Sequence, residues 1–299
     1  MLVCVDIGGS AIKLAVINQE NQLAEKKAVK VIDEIESIYQ IITNFAKEMQ
    51  DNYGAENIQG IAIASPGAVD TKTGIIGGAS ALQAIHGPNF KADLAQRTGL
   101  PIAIENDANC AALAEIYYGA AKDNSDICTM VIGSGVGGTI TKDKKIHHGS
   151  HLHGGEFGYM LVATQNGVQT LSQVASTAAL VRHVQDIKQD MTIDGEQVFE
   201  LAQKEPPVQA AVEQFYFYLA LGAINVQYTY DPEVIVFGGA ISQRPDFIQQ
   251  INQKVSEIMT GEGMVHAITP LCTVSQFYND ANLLGAKVNF LQNNQSKGE

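Results

Sequence analysis

Apolar β-formers run into glycines at two places in the chain, and these two segments organise the rest of the pattern. The first is Val3-Cys4-Val5-Asp6-Ile7-Gly8-Gly9-Ser10-Ala11-Ile12-Lys13-Leu14-Ala15-Val16; the second is Met130-Val131-Ile132-Gly133-Ser134-Gly135-Val136-Gly137-Gly138-Thr139-Ile140. Each predicts a hairpin whose turn presents bare backbone N–H groups on one surface. Glycine suits such a turn because it admits φ > 0 and lacks the Cβ that would block a ligand. One turn in each half of the chain predicts paired lobes gripping a polyphosphate between them.

Between and beyond the hairpins the hydrophobic period switches from two to 3.6. Ile35, Ile38, Ile41, Ile42, Phe45 and Met49 predict an amphipathic helix over 33–50. Ile58–Ala64 reads as a buried strand ending in the loop Ser65-Pro66-Gly67-Ala68, and 74–80 as a glycine-rich loop. A short helix over 89–98 and a strand over 101–105 follow, leading into Asn106-Asp107-Ala108-Asn109 and an alanine-rich helix to Tyr118. The second half repeats this logic with a hairpin over 127–141, a His- and Gly-rich loop, and helices near 170–188. A long helix follows Pro206-Pro207 to about Tyr230; Val234–Phe237 is a buried strand before Gly238-Gly239-Ala240, and 281–292 forms a last helix. The class is α/β, with mixed sheets covered by helices. No low-complexity linker separates the lobes, which are expected at 1–108 plus 283–299 and at 109–282.

Composition narrows the function. With 299 residues, 45% of them hydrophobic and 17% charged, the chain has enough apolar material for two ordinary cores. A net charge of −13 argues against nucleic acid or an anionic membrane as partner. An anionic nucleotide remains compatible, because backbone amides and a metal ion supply local positive potential. Cys4, Cys110, Cys128 and Cys272 are scattered without a CxxC, as expected of buried free thiols in a reducing compartment. Asp6 interrupts the apolar start too early for a signal peptide, and Phe215–Val226 is far shorter than a bilayer span, so a cytoplasmic protein is expected.

Several residues could carry chemistry. Asp107 stands at the carboxyl end of a strand and the start of a helix, where α/β sheets bind ligands. It could take the proton of an attacking hydroxyl, or it or Asn106 could simply cap the helix. Asp6 admits two readings: holding a metal-bound water beside phosphates, or stabilising the turn. Lys13 could reach a phosphate, but reads better as a solvated edge lysine. His147, His148, His151 and His153 suggest a metal site, yet histidines in a polar glycine loop are more often solvated. Glu156, flanked by glycines, suits a polyol whose hydroxyls donate to a carboxylate. Gly238-Gly239 could approach a ribose or base, or be an ordinary tight turn. Phe215, Tyr216, Phe217 and Tyr218 read as core and lobe-interface packing.

Taken in order, these motifs resemble the ROK family (repressors, open reading frames, kinases), with the two-lobed actin-like, ribonuclease H-like ATPase fold and the nucleotide in the inter-lobe cleft. The resemblance runs from Val3 to about Ala286 through Asp6–Ser10, Ser65–Gly67, Glu105–Asn109, Gly133–Gly138, Gly155–Gly158, Asp231–Gly239 and Asn279–Ala286. It implies ATP held by Asp6, Gly8, Gly9 and Ser10, by Gly133, Ser134, Gly135, Gly137 and Gly138, and by Gly238 and Gly239 on the adenosine side. It implies Mg²⁺ held through Asp6 and the ATP phosphates, Asp107 as the catalytic base, and Asn106, Asp107, Glu156, Tyr159, Gln173 and Gly67 on the sugar side. Most members carry a histidine after Glu-x-Gly and a cysteine trio that together bind zinc. Here Tyr159 takes the histidine's place and Val162–Gln173 holds no cysteine, so zinc is expected to be absent. The family's second sugar-binding glutamate falls at about Gln173, an amide.

Glu156-Phe157-Gly158-Tyr159-Met160 resembles the zinc-free branch that includes bacterial β-glucoside kinases. The function implied is ATP-dependent phosphorylation of a sugar hydroxyl, foremost the 6-hydroxyl of the non-reducing glucose of cellobiose and related β-glucosides. N-acetylmannosamine kinase, glucokinase and fructokinase are the alternatives within the family. A sugar-responsive repressor is disfavoured, because the first phosphate strand starts at Leu2 and the charge opposes DNA. Dimers are common among the kinases it resembles, so a homodimer is the assembly to test.

Overall fold

The computed structural model describes residues 1–261, 267–277 and 280–295. In chain order it runs β1 (Leu2–Ile7), β2 (Ala11–Ile17), β3 (Leu23–Lys30), α1 (Ile35–Tyr53), β4 (Ile61–Ser65), β5 (Ala68–Val69) and β6 (Ile76–Gly77). Next come α2 (Phe90–Thr98), β7 (Ile102–Asn106), α3 (Asp107–Tyr118), β8 (Ile127–Ile132), β9 (Val136–Lys142) and β10 (Lys145–Ile146). The hairpin β11 (Leu161–Thr164) and β12 (Gly167–Thr170) precedes α4 (Leu171–Ala175), α5 (Thr177–Lys188), α6 (Gly195–Ala202) and α7 (Pro206–Tyr230). The last elements are β13 (Val234–Gly238), α8 (Phe247–Met259), β14 (Cys272–Val274) and α9 (Ala281–Gln295).

The described residues form two compact units, the first holding 1–118, 149–153 and 280–295, the second 119–148 and the described part of 154–277. The expected division at 108 and 282 thus differs from the packing: α3 lies along α9, so 109–118 group with the first unit. The sheet of the first unit has the order β3-β2-β1-β4-β7. β1 pairs antiparallel with β2, and β1, β4 and β7 run parallel. Every residue of β1 and β4 is buried, which requires cover on both faces of the sheet. α1, α2 and α9 supply it, with Val5, Ile7, Ile42, Phe45, Ile63 and Phe90 in the core.

The second unit repeats the topology as β10-β9-β8-β13-β14, again an antiparallel hairpin followed by parallel strands. Its core gathers Met130, Ile132, Phe215, Phe237 and Phe247. Phe215, Tyr216 and Tyr218 of α7 are buried as expected, but Phe217 is 41% exposed, because it falls on the opposite side of the helix. All four cysteines are free and buried, and burial raises the thiols of Cys4 and Cys272 to about 12. Among the described residues no helix is long and apolar enough to cross a membrane.

One crossing in the first unit is made backbone to backbone. A Cβ placed on Gly285 of α9 would collide with the carbonyl of Cys110 in α3. That contact lets α9 sit down on β1, β4 and β7 while also packing against α3. Gly285→Ala is therefore expected to cost on the order of 3 kcal/mol, read as a lower urea midpoint with an unchanged slope.

Candidate active site

In the first unit the candidate residues gather at the carboxyl ends of the parallel strands, where helices leave room for a ligand. The register aligns Asp6 with Ala64, Ala64 with Glu105 and Ser65 with Asn106. Asp6, the Ser65–Gly67 loop and the corner before α3 therefore share one edge of one sheet.

The corner is built by side chains that satisfy the helix start. Glu105, 1% exposed, accepts from the Asn106 N–H at 2.7 Å and from Asn109 Nδ2 at 2.9 Å. Asn106 Oδ1 accepts from the Asn109 N–H at 3.1 Å, which makes Asn106 the cap of α3. Its Nδ2 donates to the Gly67 carbonyl at 3.0 Å, tying β7 to the loop after β4. Asp107 is the first helical residue, half-buried, with Oδ1 accepting from the Ala108 N–H at 2.9 Å. Of the two capping candidates the structure selects Asn106. The amide keeps one N–H beyond its bond to Gly67. Beneath them burial, reinforced by Glu105, Asp107 and Asp6, pushes the Cys110 thiol far up, so it is no nucleophile.

Asp6 is 6% exposed. Its Oδ1 accepts from Asn282 Nδ2 at 3.0 Å, and Lys13 Nζ stands 3.5 Å from Oδ2. Lys13 is not an edge lysine: β2 lies between β3 and β1, and Lys13 is directly opposite Asp6 in the β1–β2 register. Asn282 lies in the Asn279–Ala286 motif, but its pairing with Asp6 gives no signal in the sequence, since the two are 276 residues apart. His86 was likewise missed. Its ring packs on Gly67, Nε2 stands 3.0 Å from Ser80 Oγ, and Nδ1 is buried without a hydrogen-bond partner.

The turn glycines correct one expectation. None of Gly8, Gly9, Gly133, Gly135, Gly137 or Gly138 adopts the left-handed φ that the hairpin reading invoked. Gly8, Gly9 and Gly138 are needed for space instead. A Cβ on Gly8 would lie 3.0 Å from the Ala11 carbonyl, and one on Gly9 2.9 Å from Ala81 Cβ. A Cβ on Gly138 would strike the Phe157 ring and the carbonyls of Thr129 and Gly155. At Gly133 and Gly137, by contrast, nothing lies within 4 Å, so no packing in the chain forbids a side chain there.

In the second unit the same edge logic holds. The turn 133–135 follows β8 and leads into Gly137 and Gly138 of β9, and Gly238-Gly239 ends the neighbouring parallel strand β13, with Gly238 opposite Val131. Gly239 does take a left-handed φ of 98°, and its missing Cβ makes room for the Ile132 backbone. Gly155 (φ 91°) and Gly158 press the loop 154–158 onto β9, leaving Glu156 exposed between them. Tyr159 is 73% exposed.

Gln173 turns away from this turn. Its Oε1 accepts from the Thr170 N–H at 2.8 Å in a capping box that starts α4. The side chain borders a cavity of about 360 Å³ with Gln169, His183 and Gln214. Its neighbour Ser172 is the residue that meets the turn: Ser172 Oγ accepts from the Val136 N–H at 2.9 Å and abuts Gly158. Asn279 lies outside the described residues.

The ROK family model matches residues 2–293. The chain belongs to the ROK family. This ROK protein is 32% identical over 294 residues to a β-glucoside kinase of Listeria innocua, covering 96% of both chains. It is 31% identical to a β-glucoside kinase of Klebsiella pneumoniae, over 96% of this chain and 95% of that one. A ROK family protein from Streptococcus pneumoniae, solved in complex with sucrose, aligns with TM-score 0.87 and 34% identity across 99% of each chain. The chain is an ATP-dependent sugar kinase with the actin-like ATPase fold.

If the open positions at Gly133 and Gly137 are kept bare for a ligand, a methyl group there should harm binding and not folding. Gly137→Ala is expected to keep thermal stability within about 0.5 kcal/mol while weakening ATP at least tenfold by calorimetry. Gly138→Ala should instead lower the melting temperature.

Proposed function

We propose that this ROK kinase transfers the γ-phosphoryl group of ATP to the 6-hydroxyl of the non-reducing glucose of a β-glucoside such as cellobiose. The observation that carries the reading is the division of labour at the start of α3. Asn106 makes the capping bond to the Asn109 N–H, and Asp107 stands at the first helical position on the same sheet edge, a carboxylate beside the Asn106 amide. In the proposed reaction Asp107 accepts the proton of the sugar hydroxyl as its oxygen attacks the γ-phosphorus, and ADP departs. Asn106, through its remaining amide N–H, and Glu156, through its carboxylate, bind sugar hydroxyls. Gly67 shapes that side through its carbonyl tie to Asn106.

Backbone amides of Gly8, Gly9 and Ser10 and of Gly133, Ser134, Gly135, Gly137 and Gly138 are assigned to the phosphates, and Gly238 and Gly239 to the adenosine. The residues suit Mg²⁺: Asp6 is a nearly buried carboxylate that already has an ammonium beside it. Such an ion takes one or two carboxylates, water and phosphate oxygens, and when bound it neutralises charge on the transferred group. Asp6 would hold its water.

β-Glucoside preference is supported by the two kinases at 31–32% identity and by the sucrose, a disaccharide, in the structure at 34%. The compact β11–β12 hairpin is consistent with it: Leu161–Gln173 spends its length on four residue pairs and a cap. Room beside the sugar's C1 is what a second glycosyl unit requires.

Two measurements test this. Asp107→Asn is expected to fold and bind ATP normally while turnover falls about 10²- to 10⁴-fold; wild-type turnover would overturn the assignment. In a sugar panel coupled to ADP release, kcat/KM for cellobiose and gentiobiose should exceed that for glucose, fructose and N-acetylmannosamine. Preference for a free monosaccharide would leave the kinase standing and remove the β-glucoside.

A further inference from the structure

The two partners of Asp6 differ in kind, and the difference has a functional consequence. A carboxylate that is 6% exposed needs donors for its charged oxygens. Asn282 meets Oδ1 at 3.0 Å from the first turn of α9, a helix held against α3 at Gly285 and against the sheet. Lys26 further pins the approach to that helix through both oxygens of Asp280, at 2.8 and 3.0 Å. Asn282 is a short side chain on a rigid support.

Lys13 is the opposite. Its ammonium stands 3.5 Å from Oδ2, beyond the 2.7–2.9 Å of a firm charge-assisted hydrogen bond. The side chain is 46% exposed and leans across from the neighbouring strand at a directly opposed position. It is a loose cation on the one oxygen that Asn282 leaves available. Because the amide fixes the rotation of the carboxyl group, Oδ2 is held toward whatever cation stands there.

We propose that Asn282 is a positioning residue that aims Asp6 at the divalent cation of the bound nucleotide, and that Lys13 is a placeholder cation displaced when the metal arrives. The inference rests on the reading of Asp6 as the carboxylate that faces the nucleotide's metal. Substitutions at the two positions therefore shift the metal requirement in opposite directions. Removing the amide lets the carboxyl group rotate and weakens its hold on hydrated Mg²⁺. Removing the ammonium takes away a competitor for the same oxygen.

The test needs no turnover. Binding of the β,γ-imido analogue of ATP is measured by calorimetry over a Mg²⁺ series and in EDTA, without sugar, for wild type and for Asn282→Ala, Asn282→Ser and Lys13→Met. Both Asn282 variants are expected to raise the Mg²⁺ concentration for half-maximal binding roughly tenfold, the size of one hydrogen bond to a charged group. Lys13→Met should lower it severalfold, with the EDTA affinity unchanged in all three. Melting temperatures identify any variant that fails to fold, and the serine, small and polar, gives the second chance at that position. A loss of equal size with and without Mg²⁺ would show a merely structural role and overturn the proposal. So would weaker binding of Lys13→Met in EDTA, which would make Lys13 a phosphate ligand. Asp6→Asn separates the two levels: if it leaves the Mg²⁺ dependence intact, the assignment of Asp6 itself falls. If it removes that dependence while Asn282→Ala does not, only the positioning role falls.

Discussion

The register of β1, β4 and β7 is the constraint on which the first unit depends. Asp6, Ala64 and Glu105 stand level across three parallel strands. In a β-strand a slip of one residue turns every side chain to the other face. A slip of β7 would carry Asn106 out of line with Ser65 and away from the Gly67 carbonyl that its amide meets at 3.0 Å. The corner that presents Asp107 would lose its framework. Burial protects the alignment, since β1 and β4 are apolar on both faces apart from Asp6 and Ser65 near their carboxyl ends. The polar residues that break the apolar runs are the ones placed at the edge where chemistry is proposed.

Much of this architecture was legible because it is local. Strand–glycine–strand runs, a helix with six apolar residues in phase, and Pro206-Pro207 opening a long helix are patterns within one window of sequence. The elements passed over also left local marks. α6 begins with Asp194 and Gln197 in a capping box, and β11–β12 turns through Gln165-Asn166 into Gly167, whose positive φ suits glycine at that corner. The three-residue β14 is different: Cys272–Val274 has only its partner β13 to define it.

The site was legible in its residues and less so in their directions. Asp107, Asn106 and Glu156 declare themselves by residue type and context, yet whether Asn106 or Asp107 caps α3 depends on which side chain reaches Asn109. Ser172 and Gln173 are adjacent, and a shift of one residue on a helix turns a side chain by about 100°. Only the packing of α4 decides that Ser172 faces the glycine turn while Gln173 returns to Thr170. Asn282 and Asp6 meet because α9 returns to the first strand, a long-range fact that no window of sequence contains.

The two glycine turns look alike on paper and differ in physical origin. At Gly8 and Gly9 the surrounding chain itself leaves too little room for a methyl group, so glycine there is accounted for by packing alone. At Gly133 and Gly137 the room exists, and neither residue has a backbone conformation that demands glycine. Glycine in a strand or its turn sacrifices side-chain packing and costs conformational entropy on folding. Neither sterics nor dihedral angle compensates at these two positions, and the proposed approach of a ligand to the bare backbone would. In a chain with a net charge of −13, bare amides are one of the few ways to meet an anion without adding cations that neighbouring acids would neutralise. The second turn is thus the better support for the proposed phosphate site, although the first carries the more conspicuous Asp-Ile-Gly-Gly-Ser run.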